Sequence, residues 1–479
     1  MDELSLARAA LDWASRPALI TGGVTLSFAE LADRATRCRA ALVAAGAAPG
    51  SRVALIARNG LETAVVIHAI LDLGATLVPV HPRLTPAEAD TILADASPAL
   101  TLREADLSAF ASAPVLAPVL APAPSPAPAS PLAIVYTSGT TGRPKGAVLS
   151  RRAFLAAAAA SAHNLGWTED DRWLCAMPLC HVGGLSILTR CLLSRRAVIL
   201  EPRFDPDAVL ASIFRHRATL LSVVPTMLQA LLERDTANSL ATLRAVLLGG
   251  AGAPFALLEE CGRRGVPALT TYGLTEACSQ VTVQRPSSPY LPERGSGVPL
   301  PGVELRLAHR EDASGIGRIQ VRGPTLMDGY FRGPACAPDP GVDEEGWFDT
   351  GDLGELDARG ALHVHARRTD LIVTGGENVY PLEIEGRLES IPGVRRALVF
   401  GVPDERWGQI VAAAMELSPG VELDALAAVA SARMASHKRP RLACAVAELP
   451  LTGSGKLDRA HSLERHAPAL RPWPAPRRD

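Results

Sequence analysis

A short run of glycine and hydroxyl side chains, residues 136–146, constrains this chain more than any other feature. It reads Tyr-Thr-Ser-Gly-Thr-Thr-Gly-Arg-Pro-Lys-Gly and contains two cations. Backbone amides, Ser and Thr hydroxyls and positive charges are the groups that hold phosphates in proteins. Glycine lets the backbone approach an anion closely and adopt positive φ. The run therefore predicts a loop that binds a nucleoside triphosphate.

The spacing within this run excludes a Walker loop. A Walker loop has two glycines with four residues between them, followed by Lys and Ser or Thr, between a strand and a helix. Here only two residues separate Gly139 from Gly142, and Lys145 is followed by Gly146. The flanking segments 132–136 and 146–149 both have strand composition. We therefore expect a strand–loop–strand unit and not a kinase or GTPase of the Walker type.

Composition limits the class of protein further. The chain has 479 residues, of which 48% are hydrophobic and 20% charged, so two to four globular domains are expected. A net charge of −2 gives no electrostatic case for a nucleic-acid partner. The N-terminus is acidic rather than basic, and no apolar run reaches the roughly 18 residues of a membrane span. We expect a cytoplasmic protein with neither signal peptide nor membrane span.

Eight cysteines are scattered along the chain without any Cys-x-x-Cys pair. This usage predicts reduced thiols rather than a disulfide framework or a zinc site. Cys180 precedes His181, but neighbours in sequence seldom face each other across an active site. We therefore do not expect a catalytic cysteine here.

Hydrophobic patterns divide the chain into regions. Helix and strand patterns alternate before residue 80 and again over 197–269, which predicts an α/β fold with largely parallel sheets. Residues 113–131 form a linker of low complexity. Short strands after residue 302 predict a β-rich subdomain. An α+β pattern follows residue 371, with a helix predicted from Pro381 to Glu389. We predict an N-terminal domain at 1–367 and a C-terminal domain at 370–479.

Four more segments complete a recognisable series. They are residues 271–276 (Thr-Tyr-Gly-Leu-Thr-Glu), 347–352 (Trp-Phe-Asp-Thr-Gly-Asp), 367–378, and 451–456 (Leu-Thr-Gly-Ser-Gly-Lys). With the opening run, they resemble the acyl-adenylate-forming (AMP-dependent synthetase/ligase) superfamily, in order and over almost the whole chain. The resemblance implies a large N-terminal domain of stacked α/β subdomains with a β-rich subdomain, and a small mobile α+β C-terminal lid. It also implies an acid–thiol ligase that uses ATP, Mg²⁺ and coenzyme A and forms an acyl-AMP.

The residues of the nucleotide site follow from these motifs. Lys145 and the loop hydroxyls would hold the β- and γ-phosphates, Thr275 would donate to the α-phosphate, and Glu276 offers the hard oxygen ligand that Mg²⁺ prefers. Tyr272 would stack on adenine, with Gly250 to Gly252 as the wall on the opposite side, and Asp352 would accept the ribose hydroxyls. The predicted nucleotide ligands are Thr137, Ser138, Gly139, Thr140, Thr141, Gly142, Lys145, Gly250, Ala251, Gly252, Tyr272, Gly273, Asp352 and Arg367.

The C-terminal motifs are given their roles by the resemblance. Lys456 would bridge the attacking carboxylate and the α-phosphate, and would leave the site when the small domain rotates. The hinge falls at Thr369, where many relatives carry Asp or Lys, and Ala366 stands where Gly is usual. Gly375, Gly376 and Glu377 would line the tunnel for the pantetheine arm of coenzyme A.

The acid-binding segment is residues 178–186, Pro-Leu-Cys-His-Val-Gly-Gly-Leu-Ser. With segments 296–302 and 370–381, it resembles the o-succinylbenzoate–CoA ligase family of menaquinone synthesis. Such a substrate keeps one carboxylate that does not react, for which Arg190 is the candidate cation. Taken alone, Arg190 could equally be an arginine on a helix surface. His181, Gly183 and Ser279 are the other predicted acyl contacts, and His181 joins Lys456, Thr275 and Glu276 as a predicted catalytic residue.

Three alternatives stay open at this point. Another aromatic or medium-chain acid could be the substrate, because relatives share the ATP machinery. A stand-alone adenylation enzyme would load a carrier protein, although no carrier domain follows Lys456 closely. A non-catalytic nucleotide-binding protein is disfavoured because Lys145, Glu276, Asp352, Arg367 and Lys456 are all present. Oligomeric state is not fixed by the sequence, and a homodimer is the working expectation.

Overall fold

The computed structural model of this chain describes residues 4–112, 126–137, 144–287, 295–308, 315–367, 370–374, 377–434, 436–451, 457–459 and 461–473. Of the predicted linker at 113–131, residues 113–125 lie outside these ranges. Within them, the elements form four sheets, and helices pack on the nine-stranded sheet and on both six-stranded sheets.

The helices are α1 (Leu6–Trp13), α2 (Phe28–Ala44), α3 (Leu61–Leu73), α4 (Pro86–Ala96), α5 (Leu107–Ala111), α6 (Arg151–Leu165), α7 (Val182–Ser194), α8 (Pro206–His216), α9 (Pro225–Arg234), α10 (Phe255–Arg264), α11 (Pro381–Glu389), α12 (Ala427–Arg433) and α13 (Ser462–His466). Short 3₁₀ turns include Thr275–Ala277 and Leu423–Leu426.

The strands of the first half are β1 (Pro17–Thr21), β2 (Val24–Ser27), β3 (Arg52–Ile56), β4 (Thr76–Val80), β5 (Leu100–Arg103), β6 (Pro131–Thr137), β7 (Lys145–Ser150), β8 (Arg172–Cys175), β9 (Ala197–Leu200), β10 (Leu220–Val223), β11 (Ala245–Leu248) and β12 (Ala268–Tyr272). Those of the second half are β13 (Thr282–Val283), β14 (Val298–Pro299), β15 (Glu304–Ala308), β16 (Gly317–Arg322), β17 (Gly329–Tyr330), β18 (Phe348–Leu356), β19 (Leu362–Arg367), β20 (Ile372–Thr374), β21 (Glu377–Val379), β22 (Val394–Asp404), β23 (Gly408–Leu417), β24 (Leu442–Val446) and β25 (Arg471–Pro472).

Two large sheets form the α/β part, as predicted. One has nine strands in the order β14-β13-β12-β11-β10-β8-β9-β1-β2, and its strands from β12 to β1 are parallel. The other has six strands in the order β17-β7-β6-β4-β3-β5, with a parallel core of β6, β4, β3 and β5. Parallel strands are buried on both faces, which explains their continuous apolar runs.

Local sequence explains where the helices begin and end. Ser27 and Glu30 form a capping box at the start of α2, and Thr85 and Glu88 do the same for α4. Helix α3 is buried on nearly every side, in keeping with its almost unbroken apolar sequence, and it ends at Gly74 with φ of +77°.

The segments that flank the predicted phosphate loop form the expected pair of strands. Strands β6 and β7 are antiparallel, and Thr137 is paired with Lys145 across the base of the loop. A Cβ atom at Gly146 would lie 2.7 Å from Ile134 Cγ2, so this position accepts only glycine without rearrangement. The Walker geometry is therefore excluded by the fold as well as by the spacing.

The other two sheets follow along the chain. A four-stranded antiparallel sheet, β15-β16-β18-β19, is the predicted β-rich subdomain and ends at Arg367. The last sheet, β21-β20-β23-β24-β25 with β22 paired to β23, begins at Ile372. Helix α11 spans Pro381–Glu389, the same bounds as the sequence predicted. In the described part of the chain, no helix has both the length and the apolar composition for a membrane span.

Candidate active site at the carboxyl edge of the nine-stranded sheet

The residues predicted to bind adenine lie where two neighbouring parallel strands end. Gly250 follows β11, and Tyr272 is the last residue of β12. Ligands of α/β sheets bind at this carboxyl edge. A Cβ atom at Gly273 would lie 1.6 Å from the carbonyl oxygen of Ser279, so a side chain cannot fit there. The glycine therefore lets the chain beyond the Glu276 turn pass back against the end of β12.

Tyr272 and Asp352 come from different sheets and meet through their side chains. The Tyr272 hydroxyl donates a 2.7 Å hydrogen bond to Asp352 Oδ2, and both residues are only 8% exposed. Asp352 is also the cross-strand partner of Arg367 in the β18–β19 pair. The contact brings together two residues that were assigned to adenine and ribose, although their motifs lie 80 positions apart.

Glu276, the predicted Mg²⁺ ligand, lies in the 3₁₀ turn after β12 and is half-buried. Its Oε1 accepts a 2.9 Å hydrogen bond from the Tyr330 hydroxyl, and its carbonyl oxygen accepts one of 2.7 Å from the amide of Met327. Lys145 Nζ lies 5.2 Å from the centroid of the Tyr330 ring. Tyr330 therefore links the base of the phosphate loop to the candidate metal ligand, and a carboxylate oxygen at this place suits Mg²⁺.

Sequence reasoning did not identify Tyr330. It belongs to β17, a strand of two residues that pairs with β7 beyond the phosphate loop. The adjacent Gly329 has φ of +139°, and a Cβ atom there would lie 2.3 Å from the Asp339 carbonyl oxygen. The sequence Asp-Gly-Tyr at 328–330 contained this turn signal, but no pattern indicated that the turn returns to β7.

Arg190 is buried, contrary to the alternative that it lies on a helix surface. It is 3% exposed within α7, and its Cζ lies 5.7 Å from the centroid of the Trp173 ring. In the described part of the chain, its Nε and Nη2 atoms have no hydrogen-bond partner. Burial lowers the pKa of this guanidinium to about 10, although the group remains charged at neutral pH. A buried cation with unused donors is costly unless an anion joins it.

The other predicted acyl contacts lie on and beside the same helix. Gly183, Ser186 and Arg190 follow one another at spacings of three and four residues, which places them on one face of α7. At 1.5 Å per residue, Gly183 and Arg190 are about 10 Å apart along that face. Gly183 is partly exposed, and a Cβ atom there would meet only Met177 Cε, at 3.6 Å. This face of α7 therefore extends from a partly exposed glycine to a buried cation.

Two more predicted acyl residues flank that face. His181 occupies the N-cap position of α7, and its ring centroid lies 5.5 Å from that of His81. Ser279 follows Cys278, and burial raises the pKa of the Cys278 thiol although the charge of Arg190 opposes that rise. Both Cys278 and Ser279 have positive φ, 52° and 95°, in a tight turn after the 3₁₀ segment.

Several predicted residues fall outside the described ranges. These are Ser138, Gly139, Thr140, Thr141, Gly142, Thr369, Gly375, Gly376 and Lys456. Arg367 and Glu377 are placed by their strands, β19 and β21.

Helix α11 reaches the wall predicted to face adenine. A Cβ atom at Gly252, in that wall, would meet the side chain of Leu382 at 3.5 Å.

Comparisons with known proteins identify the family to which this fold and site belong. The sequence profile of the AMP-binding enzyme family matches residues 6–331, and that of the AMP-binding enzyme C-terminal domain matches residues 383–456. The chain therefore belongs to the AMP-binding enzyme family, and the resemblance inferred from its motifs is confirmed.

Individual relatives carry a more specific name than the family does. A 2-succinylbenzoate–CoA ligase of Bacillus cereus is 36% identical over 449 residues, covering 90% of this chain and 92% of that protein. The ligase of the same name from Bacillus licheniformis is also 36% identical, over 94% and 96% of the two chains.

Solved structures agree with these relatives. The o-succinylbenzoate CoA synthetase of Bacillus subtilis, in complex with its acyl-adenylate intermediate, matches with a TM-score of 0.86 and 34% identity over 96% of this chain and 97% of that one. The same enzyme has been solved with ATP and a magnesium ion. ATP-bound MatB of Rhodopseudomonas palustris matches equally well in fold, with a TM-score of 0.87 and 30% identity over 97% and 99% of the chains.

Proposed function

We propose that this protein is an ATP- and Mg²⁺-dependent acid–CoA ligase that converts o-succinylbenzoate to o-succinylbenzoyl-CoA in menaquinone biosynthesis. The relatives that carry this activity in their names span nearly the whole chain. The proposal also includes a cytoplasmic location. The homodimer expected from the sequence remains a prediction.

The observation that carries the choice of acid is the buried guanidinium of Arg190. The Nε and Nη2 atoms of Arg190 lack hydrogen-bond partners among the described residues. Arg190 lies about 10 Å along α7 from Gly183, which has no side chain. A carboxylate that does not react could accept hydrogen bonds from both nitrogens. An acid with one carboxylate at the phosphates and a second at Arg190 satisfies the cation, whereas a fatty acid would leave it buried and unpaired.

The chemistry proceeds in two steps. In the first step, a carboxylate oxygen of the acid attacks the α-phosphorus of ATP, the bond to the bridging β-phosphate oxygen breaks, and pyrophosphate leaves. In the second step, the thiolate sulfur of coenzyme A attacks the acyl carbon, the bond to AMP breaks, and AMP leaves with the electron pair. The thiol proton passes to solvent. Neither step needs a covalent protein nucleophile.

Residues of the N-terminal part would serve the first step by position and charge. Tyr272 and Asp352 would hold the adenosine, since their side chains are already joined. Lys145 would neutralise the departing phosphates, and the Glu276 carboxylate would hold Mg²⁺, which neutralises phosphate charge when bound. Tyr330 orients Glu276 through its hydrogen bond and is a positioning residue.

We also propose that the two predicted domains are separate bodies, 1–367 and 370–479, with a hinge at Thr369. In support of this division, the four-stranded sheet ends at Arg367, and the next sheet starts at Ile372. The main hydrophobic cluster of the last part contains only residues from Ile372 onward. Rotation of the second body would exchange Lys456 for the segment 375–377 at the site.

A substrate panel tests the proposed function. Pyrophosphate release and thioester formation should be measured with o-succinylbenzoate, benzoates and straight-chain fatty acids, each with and without coenzyme A. We expect kcat/KM to be highest for o-succinylbenzoate by at least about tenfold, with thioester formed only when coenzyme A is present. Equal turnover of a monocarboxylic acid would contradict the choice of substrate. Adenylation without transfer to coenzyme A would favour a carrier protein as acceptor.

A further inference from the structure

Three side chains that could bind a metal ion meet at the same edge of the molecule. His81 follows β4 of the six-stranded sheet, and Cys180 and His181 precede α7 after β8 of the nine-stranded sheet. One ligand atom of each residue lies within 4.8 Å of the others. The two rings are 5.5 Å apart and tilted by 33°. The fold thus unites residues separated by about a hundred positions, which no local spacing pattern could reveal.

The donor set selects the kind of ion. Two imidazole nitrogens and one thiol sulfur match Zn²⁺, which binds Cys and His and keeps an open position when the protein supplies three ligands. Mg²⁺ prefers oxygen and would not compete. With Zn–S of about 2.3 Å and Zn–N of about 2.0 Å, the ligand atoms would be about 3.3–3.6 Å apart. Small rotations of the three side chains from their present separation would reach that geometry.

Neighbouring groups hold the backbone of this cluster in place. The Asn59 side-chain amide donates to the carbonyl oxygens of Met177 and Glu201, at 2.9 and 3.1 Å, and its Oδ1 accepts from the amide of Leu179 at 2.9 Å. These bonds tie the end of the six-stranded sheet to the segment that carries Cys180. The backbone that carries Cys180 and His181 is therefore held in place by hydrogen bonds between the two sheets.

The two kinds of ligand differ in what a metal must do to bind them: an imidazole binds in its neutral form, whereas a thiol must first lose its proton to the solvent. Burial, aided by the charge of Arg83, lowers the pKa of His81, so this imidazole is neutral at pH 7. Burial raises the pKa of the Cys180 thiol to about 12, while Arg83 opposes that effect. The amide of Arg83 donates a 3.1 Å hydrogen bond to His81 Nδ1, and this bond would have to open if the metal took that nitrogen.

We propose that His81, Cys180 and His181 bind one zinc-class divalent ion. Metal binding would replace the Cys180 S–H bond with a metal–sulfur bond and release one proton to solvent. Because His181 is also a predicted acyl contact, the bound ion would block entry of the acid and inhibit the ligase. This last consequence rests on the proposed function, whereas the binding itself does not.

The binding is tested on the full-length, chelator-treated and reduced protein in excess Mg²⁺. Zn²⁺ affinity should be measured by competition with a chromophoric chelator, and Co²⁺ should be used as a spectroscopic probe of the ligands. We expect one equivalent of Zn²⁺ to bind with a Kd in the micromolar range or below, and Co²⁺ to give a thiolate charge-transfer band. Binding should strengthen as pH rises, because a proton is released.

Variants assign the ligands. Cys180→Ser should abolish the cobalt–thiolate band and weaken Zn²⁺ binding at least tenfold, and His81→Ala should weaken binding at least tenfold while the band remains. The matched control is Cys336→Ser, which removes an exposed thiol and should change neither readout. A band that survives in Cys180→Ser, or unchanged affinity in both ligand variants, would overturn the proposal.

Inhibition is tested separately in the adenylation half-reaction, without coenzyme A. Each protein should be compared with its own rate in the absence of Zn²⁺. The wild type should lose most of its pyrophosphate release at saturating Zn²⁺, and His81→Ala should need at least tenfold more metal for the same loss. Equal sensitivity of the two proteins would overturn the inhibitory role. Because the binding measurements use no acid, failure of the proposed substrate would leave them unaffected.

Discussion

The hydroxyl of Tyr272 donates a 2.7 Å hydrogen bond to Asp352 Oδ2 and thereby joins the nine-stranded sheet to the four-stranded sheet at the candidate nucleotide site. The sequence assigned these residues separate tasks, adenine stacking for one and ribose binding for the other. The structure couples the tasks, because the tyrosine that would stack on the base also orients the carboxylate. One Asp352 oxygen is thus already an acceptor before any ribose hydroxyl arrives.

We predict that Tyr272→Phe raises the KM for ATP about tenfold and leaves the KM for the acid unchanged. The ring remains for stacking, but the Asp352 carboxylate loses the hydrogen bond that it accepts from the tyrosine hydroxyl, and a hydrogen bond to a charged group contributes about 1.5–3 kcal/mol. Steady-state pyrophosphate release measures both constants. Thr219→Val is the matched control, because it removes a 2.7 Å hydrogen bond to Asp171 at the amino end of β10, the opposite edge of the sheet. An equal rise in KM in both variants would contradict a local role for Tyr272.

Glu276 and Tyr330 should differ in their effect on the magnesium requirement. Glu276→Gln keeps an acceptor for the Tyr330 hydroxyl but removes the negative charge, so we expect half-maximal activity to need at least about tenfold more Mg²⁺. Tyr330→Phe keeps the carboxylate charge and loses the orienting bond, so a shift below about threefold is expected. Magnesium titrations at saturating ATP give both values. If the tyrosine variant were affected as strongly as the glutamine variant, Tyr330 would do more than position the carboxylate.

Arg190→Leu should weaken the enzyme and stabilise its unliganded fold. Loss of the cation removes its charge-assisted bonds to the second carboxylate, so the KM for o-succinylbenzoate should rise about 100-fold while that for ATP is unchanged. Replacing an unpaired buried charge by an apolar side chain should raise the free energy of unfolding by about 1–3 kcal/mol. Enzyme kinetics and urea unfolding without ligand measure the two effects. A destabilised variant would indicate that Arg190 has a structural partner, and an unchanged KM would remove it from the acyl site.

Lys456 gives a test of the two-step domain scheme. Lys456→Ala should abolish formation of acyl-AMP, because the cation between carboxylate and α-phosphate is lost. Transfer to coenzyme A from acyl-AMP made beforehand should continue, since that step is predicted to use the other face of the C-terminal domain. The two half-reactions can be followed separately by pyrophosphate release and thioester formation. Equal losses in both steps would mean that one domain orientation serves the whole reaction.

Local sequence patterns were sufficient to predict individual helices and strands, but they were insufficient to predict the contacts between those elements. The β6–β7 hairpin and α11 were predicted because their signals, strand composition beside a glycine-rich run and a proline followed by helical periodicity, lie within the elements themselves. Tyr330 was missed because its importance arises from the return of a two-residue strand to β7. His81 was missed for the same reason, since its partners lie on another sheet.

Arg190 illustrates a different limit. Its helix was not delimited from the sequence, and a lone arginine in an apolar segment is compatible with either a surface or a buried position. Only packing around α7 decides between these positions, because the helix is enclosed on nearly all sides. The sequence could therefore suggest the cation, while its burial and its unused donors had to come from the tertiary structure.

Glu389, the last residue of α11, should make the free energy of unfolding depend on pH. Burial, reinforced by Glu385, raises its pKa from 4.5 to about 8, although its Oε1 accepts a 3.0 Å bond from the amide of Ala397. The folded state then binds more protons than the unfolded state between these two values, so the free energy of unfolding falls as pH rises through that window.

Glu389→Gln keeps the acceptor for Ala397 and removes the ionisation. We therefore expect this substitution to raise the free energy of unfolding by about 1–2 kcal/mol at pH 8 and to change it little at pH 5. The expected gain is a fraction of the full effect of the pKa shift, which is about 1.4 kcal/mol per pKa unit. Urea unfolding at the two pH values measures the difference. Glu422→Gln, at an exposed site in the same region, is the control and should show no such dependence. If Glu389→Gln shifted stability equally at both pH values, its effect would come from packing and not from the buried charge.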